Sequence, residues 1–409
     1  MLDKIFGSKT YIRRPAYSKR IKPYIGKQII KVITGQRRVG KSHILFQLTD
    51  EIKNSDPDAN IIYINKELKD FEFIKTGDDL YKYTKQSLKK DKPNYLFVDE
   101  IQEIDRFETA FRSLLAENSC DLFCTGSNAK LLSGELATML AGRYIETTIH
   151  SLGYDEFLTF LNLSANNKSL MMYLNLGGMP YLKVIGADED AAFEYLRNVY
   201  SSILLKDVVA RENIRNVHFL ESLVEFIADN VGSLFSANNI SKYLKSQHAT
   251  VTPQTVVNYI KPLINAFFIH KVQRYDLNGL KIFETGGKYY FEDLGLRNVI
   301  RGFDRRKEIQ KVMENAVFLH LIRQGYKVFV GQLGVNEIDF VGERKGKKIY
   351  IQVSYLLNDE KTLNREFGNL IRISDSYPKY VVSMDELNAG MDYKGITLIH
   401  LGNFLMMEL

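Results

Sequence analysis

Two short stretches carry residue types at spacings suited to phosphate chemistry. The first, Gly35-Gln36-Arg37-Arg38-Val39-Gly40-Lys41-Ser42, fits the pattern G-x-x-x-x-G-K-[ST]. Its glycines let the backbone curl until N–H groups converge on phosphate oxygens at a helix N-terminus. Lys41 supplies a cation near the β- and γ-phosphates, and Ser42 offers a hydroxyl to Mg²⁺. His43 follows on the helix and is counted with the nucleotide-binding residues, its orientation open. The second stretch, NYLFVDE at 94–100, is an apolar run ending in two carboxylates. Asp99 at the carboxyl edge of a parallel sheet suits the Mg²⁺ shell. Glu100 suits orientation and polarisation of an attacking water, which argues for hydrolysis over transfer to a second substrate.

Such residues need a scaffold of alternating strands and helices. IIKVITG at 29–35 reads as the strand leading into the glycine loop, and HILFQLTDEI as the helix leaving it. NIIYINK at 60–66 and CDLFCTGSN at 120–128 read as further strands, each preceded by a helical stretch. The last ends in Thr125, Ser127 and Asn128, which in this topology emerge near the γ-phosphate. Asn128 or Ser127 would sense it; the alternative is a polar turn capping the next helix. Cys120 and Cys124 share one face of that strand and are expected to pack in the core.

The composition, 45% apolar and 25% charged over 409 residues, is that of a soluble globular chain and excludes disordered, collagenous and coiled-coil classes. Two cysteines allow neither a disulfide framework nor a zinc site. The N-terminus lacks the apolar core of a signal peptide, and no run approaches the ~18 apolar residues of a membrane span. A cytoplasmic protein without membrane contact is expected. Residues 1–41 hold 12 Lys/Arg and one acid, Asp3, against 43 basic and 48 acidic residues in the remainder. That segment either binds a polyanion such as DNA without sequence preference or is a solvated basic arm.

GQRRVGKS, LFVDEIQEI, LFCTGSNAKLL and LAGRYIE together resemble the AAA+ ATPases of the archaeal-ATPase type, relatives of the STAND branch. YDEF at 154–157, LGGMPYL at 176–182, EIDF and IQVSY extend the likeness to prokaryotic members with a C-terminal domain of unknown function. The resemblance implies ATP and Mg²⁺ as cofactors, hydrolysis of ATP, and a helical lid over 151–216. It also suggests a homo-oligomer in which Arg143 neutralises transition-state charge between subunits; the alternative is a structural Arg at a strand start. Guanine is disfavoured, because the nearest string to Asn-Lys-x-Asp is Asn65-Lys66-Glu67-Leu68.

Residues 151–216 show apolar residues at helical spacing, with Gly177, Gly178 and Pro180 marking a break between helices. Residues 217–305 read as a winged helix: three helices, then the strands FFIHKVQRYD and KYYFEDLG. Its third helix carries only Gln254, Asn258 and Lys261 toward DNA, so internal packing is favoured over base reading. Residues 306–409 resemble a restriction-endonuclease-like domain, with Glu314 and Asp339 where metal carboxylates belong. Gln352 stands in place of the next carboxylate and Ser354 in place of the lysine, while Glu343 and Lys345 flank a turn, so this domain is expected to be inactive.

The expected fold is α/β: a P-loop parallel sheet with helices on both faces over 1–150, a helical connection over 151–216, a winged helix over 217–305 and a nuclease-like α/β domain over 306–409. The expected activity is Mg²⁺-dependent ATP hydrolysis coupled to conformational change, serving a protein client. The alternatives are a non-hydrolysing, ATP-dependent regulatory or DNA-tethering scaffold and an ATP-gated nuclease.

Overall fold

The computed structural model describes residues 11–128, 142–186, 188–212, 214–246, 251–357, 360–386 and 390–409. The helix expected to follow Asn128 lies outside them. The chain divides into two compact units, 1–150 with 265–267, and 151–264 with 268–409.

In the first unit the strands are β1 Ile30–Thr34, β2 Asn60–Asn65, β3 Asn94–Asp99, β4 Asp121–Gly126 and β5 Tyr144–Thr148. They form one sheet in the order β2-β3-β4-β1-β5, every neighbouring pair parallel. A parallel sheet is covered on both faces, which is why β1 is mostly apolar and wholly buried. α1 Pro15–Ile21 precedes the sheet, and the connections run through α2 Lys41–Ser55, α3 Gly77–Ser87 and α4 Phe107–Ala116. In α4, Phe107, Ala110, Phe111, Leu114 and Leu115 fall on one stripe and enter the core beneath β2 and β3. Thr76 and Asp79 close a reciprocal capping box that starts α3. Cys124 is buried in the same core and Cys120 packs partly against it. β5 adds an outer strand next to β1 that the hydrophobic pattern alone did not single out.

One charge inside β1 is answered locally. Lys31, fully buried, pairs with Asp121 on β4, donates to the carbonyl of Lys27 at 3.0 Å and lies over the Phe123 ring at 5.1 Å.

The second unit opens with helices α5 Tyr154–Leu161, α6 Asn167–Leu176 and α7 Glu189–Ser202, the last running into a π-helical stretch, Ile203–Ala210. Then come α8 Val217–Asp229, α9 Ala237–Ser246 and α10 Pro253–Asn265, the hairpin strands β6 Ile269–Asp276 and β7 Lys281–Phe291, and α11 Leu294–Arg301. The remainder is α12 Arg305–Arg323, β8 Lys327–Leu333, β9 Asn336–Arg344, β10 Lys347–Ser354, α13 Glu360–Ile371, β11 Lys379–Ser383, β12 Asp392–Tyr393 and β13 Ile396–His400. An eight-stranded mixed sheet takes the order β12-β13-β11-β10-β9-β8-β6-β7. The hairpin therefore shares a sheet with the C-terminal strands: Arg274, Tyr275 and Asp276 of β6 pair in parallel with Val330, Gly331 and Gln332 of β8.

The Gly-Gly-x-Pro break after α6 is a structural joint. Gly178 donates its N–H to Asp293 at 2.7 Å, and Asp293 also caps α11 by accepting from Leu296 N at 3.0 Å. Gly177 has φ +72°, and a Cβ there would lie 2.4 Å from Gly295 N, so only glycine fits.

Candidate functional site

The nucleotide-binding residues meet at the carboxyl edge of the five-stranded sheet. β1 delivers the loop from Gly35 to Gly40, where φ is +140° at Gly35, +69° at Arg38 and +98° at Gly40, the residue that caps α2. A Cβ on Gly35 would come within 2.2 Å of the Ile149 carbonyl, so the loop can begin only with glycine. Val39 is fully buried and anchors the loop; Arg37 is half-buried and Arg38 exposed. Lys41 folds back over the loop, donating to the carbonyls of Gly35 at 3.1 Å and Gln36 at 3.0 Å. The Gln36 side chain is fully buried and its amide has no hydrogen-bond partner among the described residues.

β3 delivers the carboxylates. Asp99, 1% exposed, accepts a hydrogen bond from the Ser42 hydroxyl, and burial raises its carboxyl above the ordinary value. Its two oxygens are held by Thr125 Oγ1 and, at 3.3 Å, by the Tyr63 hydroxyl. Ser42 and Asp99, 57 positions apart in sequence, therefore form the paired hydroxyl and carboxylate that a phosphate-bound Mg²⁺ requires. Glu100 follows in the left-handed region at φ +57°, which turns its side chain out of the strand. One of its carboxylate oxygens lies 4.0 Å from Lys41 Nζ, and the other accepts from the Gln102 amide.

Thr125 and Gln102 complete the site. Thr125 Oγ1 accepts the Glu100 N–H at 2.9 Å while donating to Asp99, and Gln102 reaches Ser127 Oγ at 3.5 Å. Thr125 was visible as a polar strand end, whereas nothing in the sequence marks Gln102. Asn128 lies at the same strand end, immediately after Ser127. His43, on α2 immediately after Ser42, is exposed, its ring edge-on to Phe46 at 5.7 Å.

Arg143 is not brought to this site within one chain. Its carbonyl accepts from Ile30 N at 3.0 Å, at the amino end of the sheet, whereas the loop leaves β1 beyond Thr34. At about 3.3 Å per residue the two ends are ~15 Å apart. The basic N-terminal segment is also partly internal. Arg14 is buried, donates to the Val39 carbonyl at 3.1 Å and lies 4.6 Å over the Tyr17 ring, while its N–H donates to Gln47 at 2.9 Å. Arg14, Lys31 and Lys41 are thus withdrawn from any surface field.

The model of an AAA domain matches residues 27–158, and that of a domain of unknown function, DUF8612, matches residues 167–307. An uncharacterised protein of Haemophilus influenzae is 33% identical over 98% of this chain and 100% of its own length. An uncharacterised protein of Methanocaldococcus jannaschii is 32% identical over 81% of this chain and 75% of its own. Among solved structures, Orc1 of Aeropyrum pernix in complex with DNA is 10% identical with TM-score 0.32, covering 71% of this chain and 92% of that one. DnaA of Aquifex aeolicus bound to AMPPCP is 16% identical with TM-score 0.30, covering 62% and 89%. The first unit is an AAA domain with a P-loop nucleotide-binding core. The chain belongs to the family of the Haemophilus influenzae protein.

Among the described residues, no helix is long and apolar enough to cross a membrane.

Proposed function

We propose that the chain binds ATP with Mg²⁺ and hydrolyses it. The observation that carries this reading is the meeting of Ser42 and Asp99 beneath the Gly35–Gly40 loop, with Glu100 beside Lys41. The loop amides and Lys41 bind the phosphates, and Ser42 with Asp99 would hold Mg²⁺. The ion supplies neutralisation of charge developing on the transferred phosphoryl group. Glu100 accepts a proton from, and orients, the attacking water. Thr125 fixes both acids relative to one another, and Asn128 or Ser127 reads the γ-phosphate from the next strand.

Lys41→Ala tests binding and Glu100→Gln tests turnover. The first should abolish nucleotide binding. The second should keep affinity and lower steady-state phosphate release by about 10²-fold or more. Parental turnover in Glu100→Gln would remove Glu100 from the reaction. The ties of Glu100 to Lys41 and Gln102 favour a second reading, a nucleotide-dependent scaffold without turnover. Under it the parental protein binds ATP but releases no phosphate above the Lys41→Ala background.

We further propose that helices α8–α10 with the β6–β7 hairpin are a winged helix, and that α12, β8–β11 and α13 are a restriction-endonuclease-like fold without nuclease activity. Three helices followed by a hairpin support the first; the helix, three antiparallel-linked strands, helix and parallel strand support the second. Gln352 supports inactivity. Its carbonyl accepts the Asp339 N–H at 2.8 Å and its amide donates to Glu366 at 2.8 Å, so both ends of this neutral side chain are bonded within the domain where a second metal carboxylate would stand. Incubation with supercoiled and single-stranded DNA, ATP and Mg²⁺ should leave both intact.

A further inference from the structure

The acids of the C-terminal domain surround a cation supplied by the protein itself. Lys288, on β7, is 2% exposed, and its Nζ lies 2.8 Å from Glu337, 3.3 Å from Asp339 and 3.5 Å from Glu314. Glu337 and Asp339 alternate on β9 and so share one face of the strand, while Glu314 comes from α12. Three elements distant in sequence converge on one ammonium group.

We propose that Lys288 is a tethered cation occupying the place a divalent metal ion would take between Glu314, Glu337 and Asp339. The cluster is therefore metal-independent in the native chain and becomes a divalent-cation site when the ammonium is removed.

The placement of the acids supports this assignment. Three carboxylates stand within 3.5 Å of the ammonium, and Asp339 Oδ1 accepts a hydrogen bond from it at 3.3 Å. One oxygen each of Asp339 and Glu314 is engaged elsewhere. Asp339 Oδ2 accepts from Val353 N at 2.9 Å, and the Val353 carbonyl accepts from Gln310 at 2.6 Å. Glu314 Oε1 takes the Gln310 amide at 3.4 Å, while Oε2, the oxygen that faces Lys288, also takes the Tyr290 hydroxyl at 3.3 Å. The oxygens facing Lys288 are those a metal would need. Gly232, at φ +75°, lies against the same Glu314 oxygen: a Cβ there would come 2.4 Å from Oε2.

Charge decides how the cluster behaves without the lysine. Removing Lys288 leaves three carboxylates facing one another in a poorly solvated space, an arrangement relieved by protonation or by a hard divalent cation that prefers oxygen ligands. The cation missing at Ser354 is thus present in the fold, delivered from β7 and seated on the acids. Ser354 itself turns to the Leu356 carbonyl at 3.4 Å.

The test uses the nucleotide-free full chain and Mn²⁺, so that the P-loop adds no nucleotide-dependent metal. The parental protein should bind no stoichiometric Mn²⁺ by calorimetry, and neither Mn²⁺ nor EDTA should move its unfolding temperature. Lys288→Met should unfold at lower temperature, bind one Mn²⁺ per chain and recover stability with it, and Asp339→Asn added to it should abolish that uptake. A folded Lys288→Met that binds no Mn²⁺ overturns the proposal. The parental measurement stands whether or not the variant folds: Mn²⁺ uptake by the parental chain that Asp339→Asn removes overturns it too, and absence of uptake supports it. None of these readouts depends on ATP turnover, so they stand apart from the fate of the ATPase reading.

Discussion

The hydroxyl of Thr125 accepts the backbone N–H of Glu100 at 2.9 Å, and in doing so holds a residue at φ +57° against the strand that precedes it. The same hydroxyl donates to Asp99, so one side chain sets the relative placement of Asp99 and Glu100. Thr125→Val keeps the shape and removes both bonds. It should cost ~1–3 kcal/mol of stability, because a buried N–H and carboxylate lose a partner. It should also lower turnover about tenfold or more while leaving ATP affinity within a few-fold. Chemical denaturation and phosphate release check the two parts separately.

Arg143 lies at the end of the sheet away from its own phosphate loop, so any catalytic role belongs to a neighbouring subunit. Arg143→Ala should lose activity by ~10³-fold if it serves as that finger. Mixing it with Lys41→Ala subunits should restore part of the activity, since each mutant contributes the half that the other lacks. Loss without any rescue would assign Arg143 a structural role at the start of β5.

His320 is buried on α12, donates to the Met407 carbonyl at 3.1 Å and packs on Phe404 at 5.3 Å. Burial, aided by the nearby Arg323 charge, lowers its pKa to about 3. An unfolded His titrates near ~6.5. Because the folded value lies below the unfolded one, its contribution to stability is full above ~6.5 and is lost as pH falls from there toward 3. His320→Gln should destabilise by ~1–3 kcal/mol at pH 7, and the gap to the parental protein should narrow in denaturation curves recorded at pH 4.5.

Any polyanion binding should rest on the N-terminal cations still exposed, among them Lys19 and Lys22. Replacing both by Glu should weaken DNA binding at low salt about tenfold or more, with log K falling linearly in log salt concentration. Gln254→Ala with Asn258→Ala should change it little, since these two side chains already bond each other at 3.0 Å. An isotherm that survives high salt and depends on Gln254 would reverse the order.

The residues legible in sequence were those whose role is written in a contiguous stretch. Gly35, Lys41 and Ser42 are fixed by one loop, and Asp99 and Glu100 by one strand end, so spacing alone placed them. Gln102 and Lys288 were not legible, because each acts through groups that only the tertiary fold brings near; Asp339 is 51 residues beyond Lys288. Counting charge over residues 1–41 overstated the surface field for the same reason, since burial of Arg14 and Lys31 cannot be read from composition. The strands of the C-terminal domain were visible as apolar runs. Their union with the β6–β7 hairpin was not, because a parallel pairing such as β6 with β8 carries no turn signature between its partners.

That shared sheet makes the second unit hard to divide by cloning. A chain ended at residue 305 would leave β6 with an unpaired edge where β8 belongs, and a chain begun at residue 306 would strip β8 of its neighbour and the acids of Lys288. Each half would present bare strand edges and imbalanced charge, the conditions for aggregation. The C-terminal strands should therefore be recoverable as a soluble piece only when the cut is made upstream of the β6–β7 hairpin.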